Sequence, residues 1–178
     1  MSQSAIFQYL LTNLRSALGD SEAPTFFCVH GEKGSGKTYL LNRLATELEQ
    51  RKYLVTITSL TKTAPKIRTL QSIIVNNERS HLYDPKDPDW LRLTGLALKA
   101  TEIEILLIDD INRVSNFLLN QLDRLCKLVR KNNRAFGGLC VCGFADFLDS
   151  LPADYHKRDP ETNMKIYYHL SPAFESHV

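Results

Sequence analysis

The sequence predicts an α/β fold in which helices cover both faces of a mainly parallel sheet. Strand-like apolar runs alternate along the chain with amphipathic helical patterns, as in sheets whose strands are joined by helical crossovers. Two of the runs, 103–108 and 139–142, are almost continuously apolar, which is typical of strands buried on both faces. A length of 178 residues fits about one domain, so we expect a single domain over residues 1–178.

The composition excludes several classes of protein. Hydrophobic residues make up 43% and charged residues 24%, close to the average for globular proteins, which excludes disordered and fibrous chains. The net charge of +2 neither requires nor excludes a nucleic-acid partner. No apolar run approaches the about 20 residues of a membrane span, and the polar start does not resemble a signal peptide. We therefore expect a soluble, intracellular protein with no membrane partner.

The first third of the chain alternates helix and strand. Residues 1–20 predict a helix with Ser4 as its N-cap and Gly19 as its end. Its apolar residues at helical spacing are Ile6, Tyr9, Leu10, Leu14 and Leu18. A strand at 26–30, a helix from Gly36 to about Arg51 and a strand at 53–58 follow.

The remainder continues the pattern after a polar interruption. Residues 69–75 are consistent with a short helix, and residues 76–90, with two prolines and many charges, predict an exposed loop. The pattern continues with a helix at 91–100, the apolar strand at 103–108 and a helix after Val114. The latter helix carries Phe117, Leu118, Leu122, Leu125 and Val129 on one face. Residues 136–138 end this segment before the last apolar strand, and residues 153–178 form a tail with a short strand at 166–169.

All four cysteines lie in apolar patterns and none belongs to a C-x-x-C pair. They predict buried free thiols that pack as small hydrophobic side chains, and not metal ligands.

The segment GEKGSGKT, from Gly31 to Thr38, matches the phosphate-binding pattern G-x-x-x-x-G-K-[ST] between a predicted strand and a predicted helix. Its glycines allow successive backbone N–H groups to point at phosphate oxygens, beside the positive end of a helix. Lys37 is expected to contact the β- and γ-phosphates, and the Thr38 hydroxyl to ligate Mg²⁺. The predicted nucleotide contacts are Gly31, Gly34, Ser35, Gly36, Lys37 and Thr38.

A second motif, ILLIDD, ends the strand at 103–108. The carboxyl ends of parallel strands meet at the edge of the sheet where the phosphate loop lies. We therefore expect Asp109 to hold Mg²⁺ and Asp110 to polarise the attacking water. The two motifs together predict binding of a nucleotide with Mg²⁺.

Beyond these motifs, four stretches carry a further resemblance: IDDINRV at 108–114, the helix after it, the FGG segment at 136–138 and DFLDSLP at 146–152. They resemble motifs of the Pif (petite integration frequency) family of superfamily-one DNA helicases. The stretch IDDINRV, the helix after it and the FGG segment are similar to the family's IDEISMV, D-x-L-D helix and N-x-P-F-G-G. DFLDSLP, at 146–152, resembles D-F-L-Q-L-P-P, and YYHLSPAFES resembles F-x-F-x-S-x-x-F. TSLTKTAPKIRTLQS stands in the place of a threonine-rich family motif. The resemblance runs from Phe26 to about Ser176.

The resemblance implies a RecA-like P-loop NTPase domain, the first motor domain of an ATP-driven translocase on single-stranded DNA. ATP and Mg²⁺ are the implied ligands. Thr58, Ser59 and Thr63 match positions where the family grips the DNA backbone, and hydroxyl groups suit contacts independent of DNA sequence. The family's second RecA-like domain supplies arginines to the ATP site. We therefore expect a chain of this length to depend on a second domain or subunit for them and to hydrolyse ATP slowly alone.

Two positions of the expected ATP site depart from the family pattern. Asp110 replaces a glutamate and is one methylene shorter. Asp149 stands where the family has a glutamine that contacts the γ-phosphate, and a carboxylate there would repel it. Gln3 and Gln8 are both candidates for the family's adenine-reading glutamine.

Two other functions stay open. LLIDDIN also resembles the second motif of AAA-type loaders and transposition ATPases, and the departures at Asp110 and Asp149 are compatible with a degenerate binding or regulatory module.

The basic residues near the helix after Val114 have two interpretations, a DNA-facing stripe or a solvated helix face. These residues are Arg124, Lys127, Arg130, Lys131 and Arg134.

Overall fold

The computed structural model describes residues 2–20, 23–59, 68–69, 102–114 and 116–146. Its helices are α1 (Gln3–Gly19), α2 (Lys37–Gln50) and α3 (Asn116–Arg130). Its strands are β1 (Phe26–His30), β2 (Val55–Ser59), β3 (Arg68–Thr69), β4 (Ile105–Asp109) and β5 (Cys140–Ala145). Two short 3-10 turns span Ile111–Arg113 and Ala135–Gly138.

The five strands form one sheet in the order β1-β5-β4-β2-β3. Every described strand pair is parallel, with Phe26 opposite Val141 and Ser59 opposite Asp109. The carboxyl ends of β1, β5, β4 and β2 therefore lie along one edge. The predicted parallel sheet is confirmed.

Apolar side chains pack on both faces of the sheet. One core joins the sheet to α1 and α2 through Leu14, Leu41, Leu44, Leu107 and Phe144. The other joins it to α3 through Leu106, Ile108, Leu122, Leu125 and Phe136. Because both faces of β4 and β5 are covered, all their residues are buried, as their continuous apolar runs predict.

Helix α1 begins and faces differently from the prediction. Its N-cap is Ser2, whose hydroxyl accepts a hydrogen bond from the Ala5 N–H at 3.3 Å, so Ser4 lies inside the helix. Tyr9 is 57% exposed, contrary to its predicted place on the apolar face. The buried face consists of Phe7, Leu10, Leu11, Leu14 and Ala17. Helical spacing is compatible with burial of either the predicted or the observed set of residues. Packing against α2 selects the observed set, and the Arg43 guanidinium of α2 lies 4.2 Å from the centre of the Phe7 ring.

Helices α2 and α3 follow their predicted patterns closely. The apolar face of α2 is buried from Leu40 to Leu48. In α3, Leu122 and Leu125 are buried, whereas Leu118 and Val129 are partly buried. Thr69, predicted to start a helix, instead pairs with Ser59 in the parallel sheet. The predicted loop at 76–90, helix at 91–100 and tail at 153–178 lie outside the described residues.

Three of the four cysteines are buried free thiols, as predicted. Burial raises the pKa of Cys126 and Cys140 to about 12 and that of Cys142 well above its ordinary value. Cys28 is exposed, which corrects the prediction for that residue. It lies on β1, which pairs only with β5 among the described strands.

Three of the basic residues near α3 bind within the protein. Arg130 donates to the carbonyl oxygens of Gly137 and Ile103 at 3.0 and 3.1 Å. Arg134 donates to the carbonyl of Ala23 at 2.7 Å. The Lys127 ammonium lies 2.7 Å from the Asp123 carboxylate. The arginine contacts fasten α3 and its following turn to the segments just before β4 and β1, whereas the Lys127 pair lies within α3. Neither interpretation of the basic cluster predicted these roles.

Within the described ranges, no helix has both the length and the apolar character needed to cross a membrane.

Candidate nucleotide-binding site

The phosphate loop leaves β1 at His30 and enters α2 at Lys37. Gly34 and Gly36 have φ angles of +81° and +86°, a left-handed backbone that residues with a Cβ rarely adopt. Gly36 is the N-cap of α2 and supplies no side chain to the first helical N–H groups. The loop therefore leaves the free N–H groups of a helix start directed outward, as an anion site requires.

Lys37 reaches back over the loop that precedes it. Its Nζ donates to the carbonyl oxygens of Gly31 and Glu32 at 2.7 and 2.8 Å. The same Nζ lies 3.8 Å from Oδ2 of Asp146, and the two side chains are only 12% and 8% exposed. The ammonium group is thus held at the carboxyl edge of the sheet, beside the start of α2.

The two predicted Mg²⁺ ligands meet directly. The Thr38 Oγ1 donates to Oδ2 of Asp109 at 3.2 Å, although the residues are 71 positions apart. Asp109 is the last residue of β4 and is 8% exposed. A hydroxyl and a carboxylate are the hard oxygen donors that Mg²⁺ prefers when phosphate oxygens complete its shell. These residues fit the predicted ion.

The folded protein disfavours the charge on Asp109. Burial, followed by the negative charge of Asp110, raises the pKa of the Asp109 carboxyl above its usual range. Hydrogen bonds from Thr38 and the Asp110 N–H, together with the charge of Lys37, oppose that rise without cancelling it. A cation bound between Thr38 and Asp109 would stabilise the ionised form of the Asp109 carboxyl.

Asp110 follows β4 in a left-handed conformation, with φ +52° and ψ +46°. Its N–H donates to Oδ1 of Asp109 at 3.2 Å. Non-glycine residues with positive φ are uncommon, aspartate and asparagine being the usual ones, and such residues cluster at functional sites. The turn separates the two carboxylates so that Asp109 stays in the sheet while Asp110 begins the next turn.

Two further side chains lie at the site, and both belong to sequence motifs that gave neither one a role. Asp146 directly follows β5, and its N–H donates to Oδ1 of Asn112 at 3.1 Å. Asn112 is 2% exposed and lies in the turn after Asp110. The sequence does show an acidic residue directly after a buried strand. Placing that residue at the site, however, required knowing that the strand lies between β1 and β4.

The two candidate adenine-reading glutamines differ in position. Gln3 Nε2 donates to the Ser35 carbonyl at 2.6 Å, so the start of α1 contacts the phosphate loop. Gln8 lies exposed further along α1.

Of the predicted DNA contacts, Thr58 and Ser59 end β2 beside Asp109 and are 0% and 2% exposed. Their hydroxyls are therefore buried in the described structure, and the DNA contact stays a prediction. Thr63 and Asp149 lie outside the described residues.

Comparisons with known proteins agree with this geometry. A family model described as an AAA domain matches residues 20–149. The chain is 30% identical to the ATP-dependent DNA helicase Pif1 of Psychrobacter sp. over 128 residues, 68% of this chain and 19% of that protein. It is 41% identical to the helicase PIF1 of Candida albicans over 51 residues, 29% of this chain and 6% of that protein.

Solved structures give the same result for the fold. The crystal structure of Candida albicans Pif1 helicase matches 97% of this chain and 37% of its own, with a TM-score of 0.74 and 23% identity. Pif1 helicase from Bacteroides, in complex with ADP-AlF3 and single-stranded DNA, matches 80% of this chain and 33% of its own, with a TM-score of 0.56 and 25% identity.

The chain spans about a fifth or less of these curated relatives and about a third of the solved structures. The predicted RecA-like P-loop fold and the resemblance to Pif helicases are both confirmed. The chain resembles one part of these Pif1 helicases, and because the AAA domain model matches well over half of its residues, it belongs to the AAA domain family.

Proposed function

We propose that this chain is the Mg-ATP-binding motor domain of a Pif1-like DNA helicase. The observation that carries the proposal is the hydrogen bond between Thr38 and Asp109 beside the buried Lys37 ammonium. Three groups with separate roles in phosphoryl transfer thereby share one edge of the sheet.

Each group has a distinct task in this proposal. The Lys37 ammonium and the N–H groups at the start of α2 bind the β- and γ-phosphates. Thr38 and Asp109 hold Mg²⁺, which when bound neutralises phosphate charge and polarises the transferred group. Asp110 accepts a hydrogen bond from the attacking water and orients it in line with the γ-phosphate.

We further propose that single-stranded DNA binds to the segment that begins after β2 and includes Thr63. The single-stranded DNA and ADP-AlF3 in the Bacteroides Pif1 complex support this, as does the position of β2 beside Asp109 in the sheet. In the same proposal, a second RecA-like domain or subunit supplies arginines in trans. Arginines of this kind accelerate phosphoryl transfer by about 10³–10⁵ in other P-loop enzymes.

Steady-state ATP turnover, measured with and without single-stranded DNA, tests the proposal. The chain alone should turn over slowly, single-stranded DNA should raise the rate, and Lys37→Ala should abolish it. Arg15→Ala is the matched control, because it removes one cation from the exposed side of α1, about 18 Å along the helix from Gln3. Nucleotide binding without turnover in either condition would instead identify a binding or regulatory module.

The AAA domain match favours a second candidate, an AAA-type loader or transposition ATPase. Proteins of that kind assemble around ATP bound between subunits. Light scattering with and without Mg-ATP separates the two functions, because ATP-dependent oligomers indicate the loader and a constant mass indicates the helicase motor.

A further inference from the structure

Besides Asp109, which contacts Thr38, a further carboxylate lies beside the phosphate loop. Oδ2 of Asp146 lies 3.8 Å from Nζ of Lys37, and both side chains are almost entirely buried. The phosphate-loop pattern and the ILLIDD motif leave this residue without a role.

The sheet fixes the position of Asp146. It follows β5, the strand between β1 and β4, and its N–H donates to the buried Asn112 side chain at 3.1 Å. One residue earlier, the Ala145 carbonyl accepts a hydrogen bond from the Gly31 N–H at 3.1 Å. Backbone contacts on both sides therefore set how closely the carboxylate approaches Lys37.

The Lys37 ammonium has three N–H donors. Two of them are used by the carbonyl oxygens of Gly31 and Glu32. The Asp146 carboxylate lies within ion-pair distance of the same nitrogen, so phosphate oxygens that approach Lys37 must share it with a fixed negative charge. In a buried site of low dielectric constant, that competition is stronger than it would be in water.

We propose that Asp146 is a positioning residue that holds the Lys37 ammonium at the phosphate loop and weakens the binding of nucleotide phosphates. In this site the Lys37 ammonium favours phosphate binding, whereas the Asp146 carboxylate favours phosphate release. This inference rests on the proposed Mg-ATP binding and deepens it by naming the residue that sets the affinity.

A purely structural ion pair makes the opposite prediction. If Asp146 served folding alone, Asp146→Asn would lower stability and leave nucleotide affinity unchanged or weaker. If Asp146 competes with phosphate, the same substitution strengthens binding, because it removes a negative charge beside the site and keeps a side chain of the same shape.

Isothermal titration of the full chain with Mg-ATP and Mg-ADP measures this effect. We expect Asp146→Asn to lower both dissociation constants by about tenfold, since the removed charge lies within about 4 Å of the ammonium that the phosphates contact. Asp146→Glu keeps the charge and should bind no more tightly than the wild type. Equal or weaker binding by Asp146→Asn, or tighter binding by Asp146→Glu, would overturn the inference. If Asp146→Asn did not fold, Asp146→Ala, which also removes the charge, would take its place with the same tighter binding expected, and equal or weaker binding would overturn the inference.

A second measurement tests whether Asp146 acts through Lys37. In Lys37→Ala the Asp146 carboxylate becomes a buried charge without this partner, which is strongly destabilising. Adding Asp146→Asn to Lys37→Ala should therefore raise the melting temperature, whereas the same change in the wild type should not. Equal shifts in both backgrounds would mean that the two residues act independently, against the inference.

The two proposals fail in distinguishable ways. A wild-type chain that binds neither Mg-ATP nor Mg-ADP would refute the proposed function. A wild-type chain that binds both, with an affinity unchanged by Asp146→Asn, would refute this inference alone.

Discussion

Asp109 gives the clearest case in which a single residue favours function over stability. Its pKa is raised by burial and by Asp110, so the folded state binds a proton at this carboxyl more tightly than the unfolded state does. The stability linked to this group is present below the unfolded pKa, about 3.9, and is lost as the pH rises through the folded pKa. Above the folded pKa the ionised carboxyl therefore destabilises the fold until a cation binds.

Replacing Asp109 by asparagine should stabilise the protein and remove its response to Mg²⁺. The amide oxygen can accept the hydrogen bond from the Asp110 N–H while the amide NH₂ donates to the Thr38 hydroxyl, which can act as donor or acceptor. The main change is therefore the loss of charge. A gain of about 1 kcal/mol would raise the melting temperature by about 2–4 °C for a chain of this size. Thermal denaturation at pH 7, with and without Mg-ATP, measures both effects.

The control for this substitution is Glu49→Gln, which neutralises an exposed carboxylate on α2 and should change neither quantity. A lower melting temperature for Asp109→Asn, or an undiminished stabilisation by Mg-ATP, would contradict the assignment of Asp109 to the metal.

Asp110 is expected to act on turnover and not on binding. Asn at this position keeps the left-handed backbone, which asparagine also tolerates, and removes the carboxylate that orients the water. Positioned bases contribute about 10²–10⁴ in rate, so Asp110→Asn should lower ATP turnover by about 10²-fold while the affinity for Mg-ATP is retained. A turnover equal to that of the wild type would show that this carboxylate takes no part in hydrolysis.

At the scale of elements, the 3-10 turn after α3 is the most constrained part of the described structure. Phe136 and Gly137 both have positive φ angles, +48° and +62°. The Phe136 N–H donates to the buried Asp123 carboxylate at 2.7 Å. A Cβ on Gly137 would lie 2.4 Å from the carbonyl oxygen of Cys126 in the α3 backbone. Only glycine fits where the turn packs against the helix.

Gly137→Ala should therefore destabilise the protein by more than the about 1–2 kcal/mol of a left-handed residue alone. The expected fall in melting temperature is at least about 4 °C. Gly19→Ala is the matched control, because a Cβ at this helical position meets nothing within 4 Å and alanine favours the helix. Equal melting temperatures for the two variants would contradict the packing described for the turn.

The sequence predicted which helices and strands form more reliably than it predicted where a helix begins and which face it buries. The apolar spacing of α2 and α3 and the continuous runs of β4 and β5 predicted these elements, because burial requires such patterns. For α1 the predicted N-cap and the predicted burial of Tyr9 were wrong, whereas Leu10 and Leu14 are buried as predicted. Ser2 and Ser4 are both capable caps, and several apolar faces share helical spacing. Contacts with α2 and the sheet, which local sequence does not contain, decided between them.

At the scale of the whole molecule, the candidate site joins three segments that only the sheet order brings together. The proximity of Lys37 and Thr38 to Asp109 was predictable, because the phosphate loop and the ILLIDD motif belong to one known nucleotide-binding pattern. The approach of Asp146 to Lys37 was not, because it depends on β5 lying between β1 and β4. The burial of Thr58 and Ser59 was missed for the same reason, since neighbouring strands determine it.

The central claim is that Lys37, Thr38 and Asp109 form one Mg-ATP site. Isothermal titration with ATP, in the presence and absence of Mg²⁺, tests it most directly in the wild type, Lys37→Ala and the control Arg15→Ala. We predict Mg²⁺-dependent binding in the wild type and in Arg15→Ala, with an affinity at least about tenfold weaker in Lys37→Ala, a loss of about 1.4 kcal/mol. The same affinity in all three proteins, or binding indifferent to Mg²⁺, would contradict the claim.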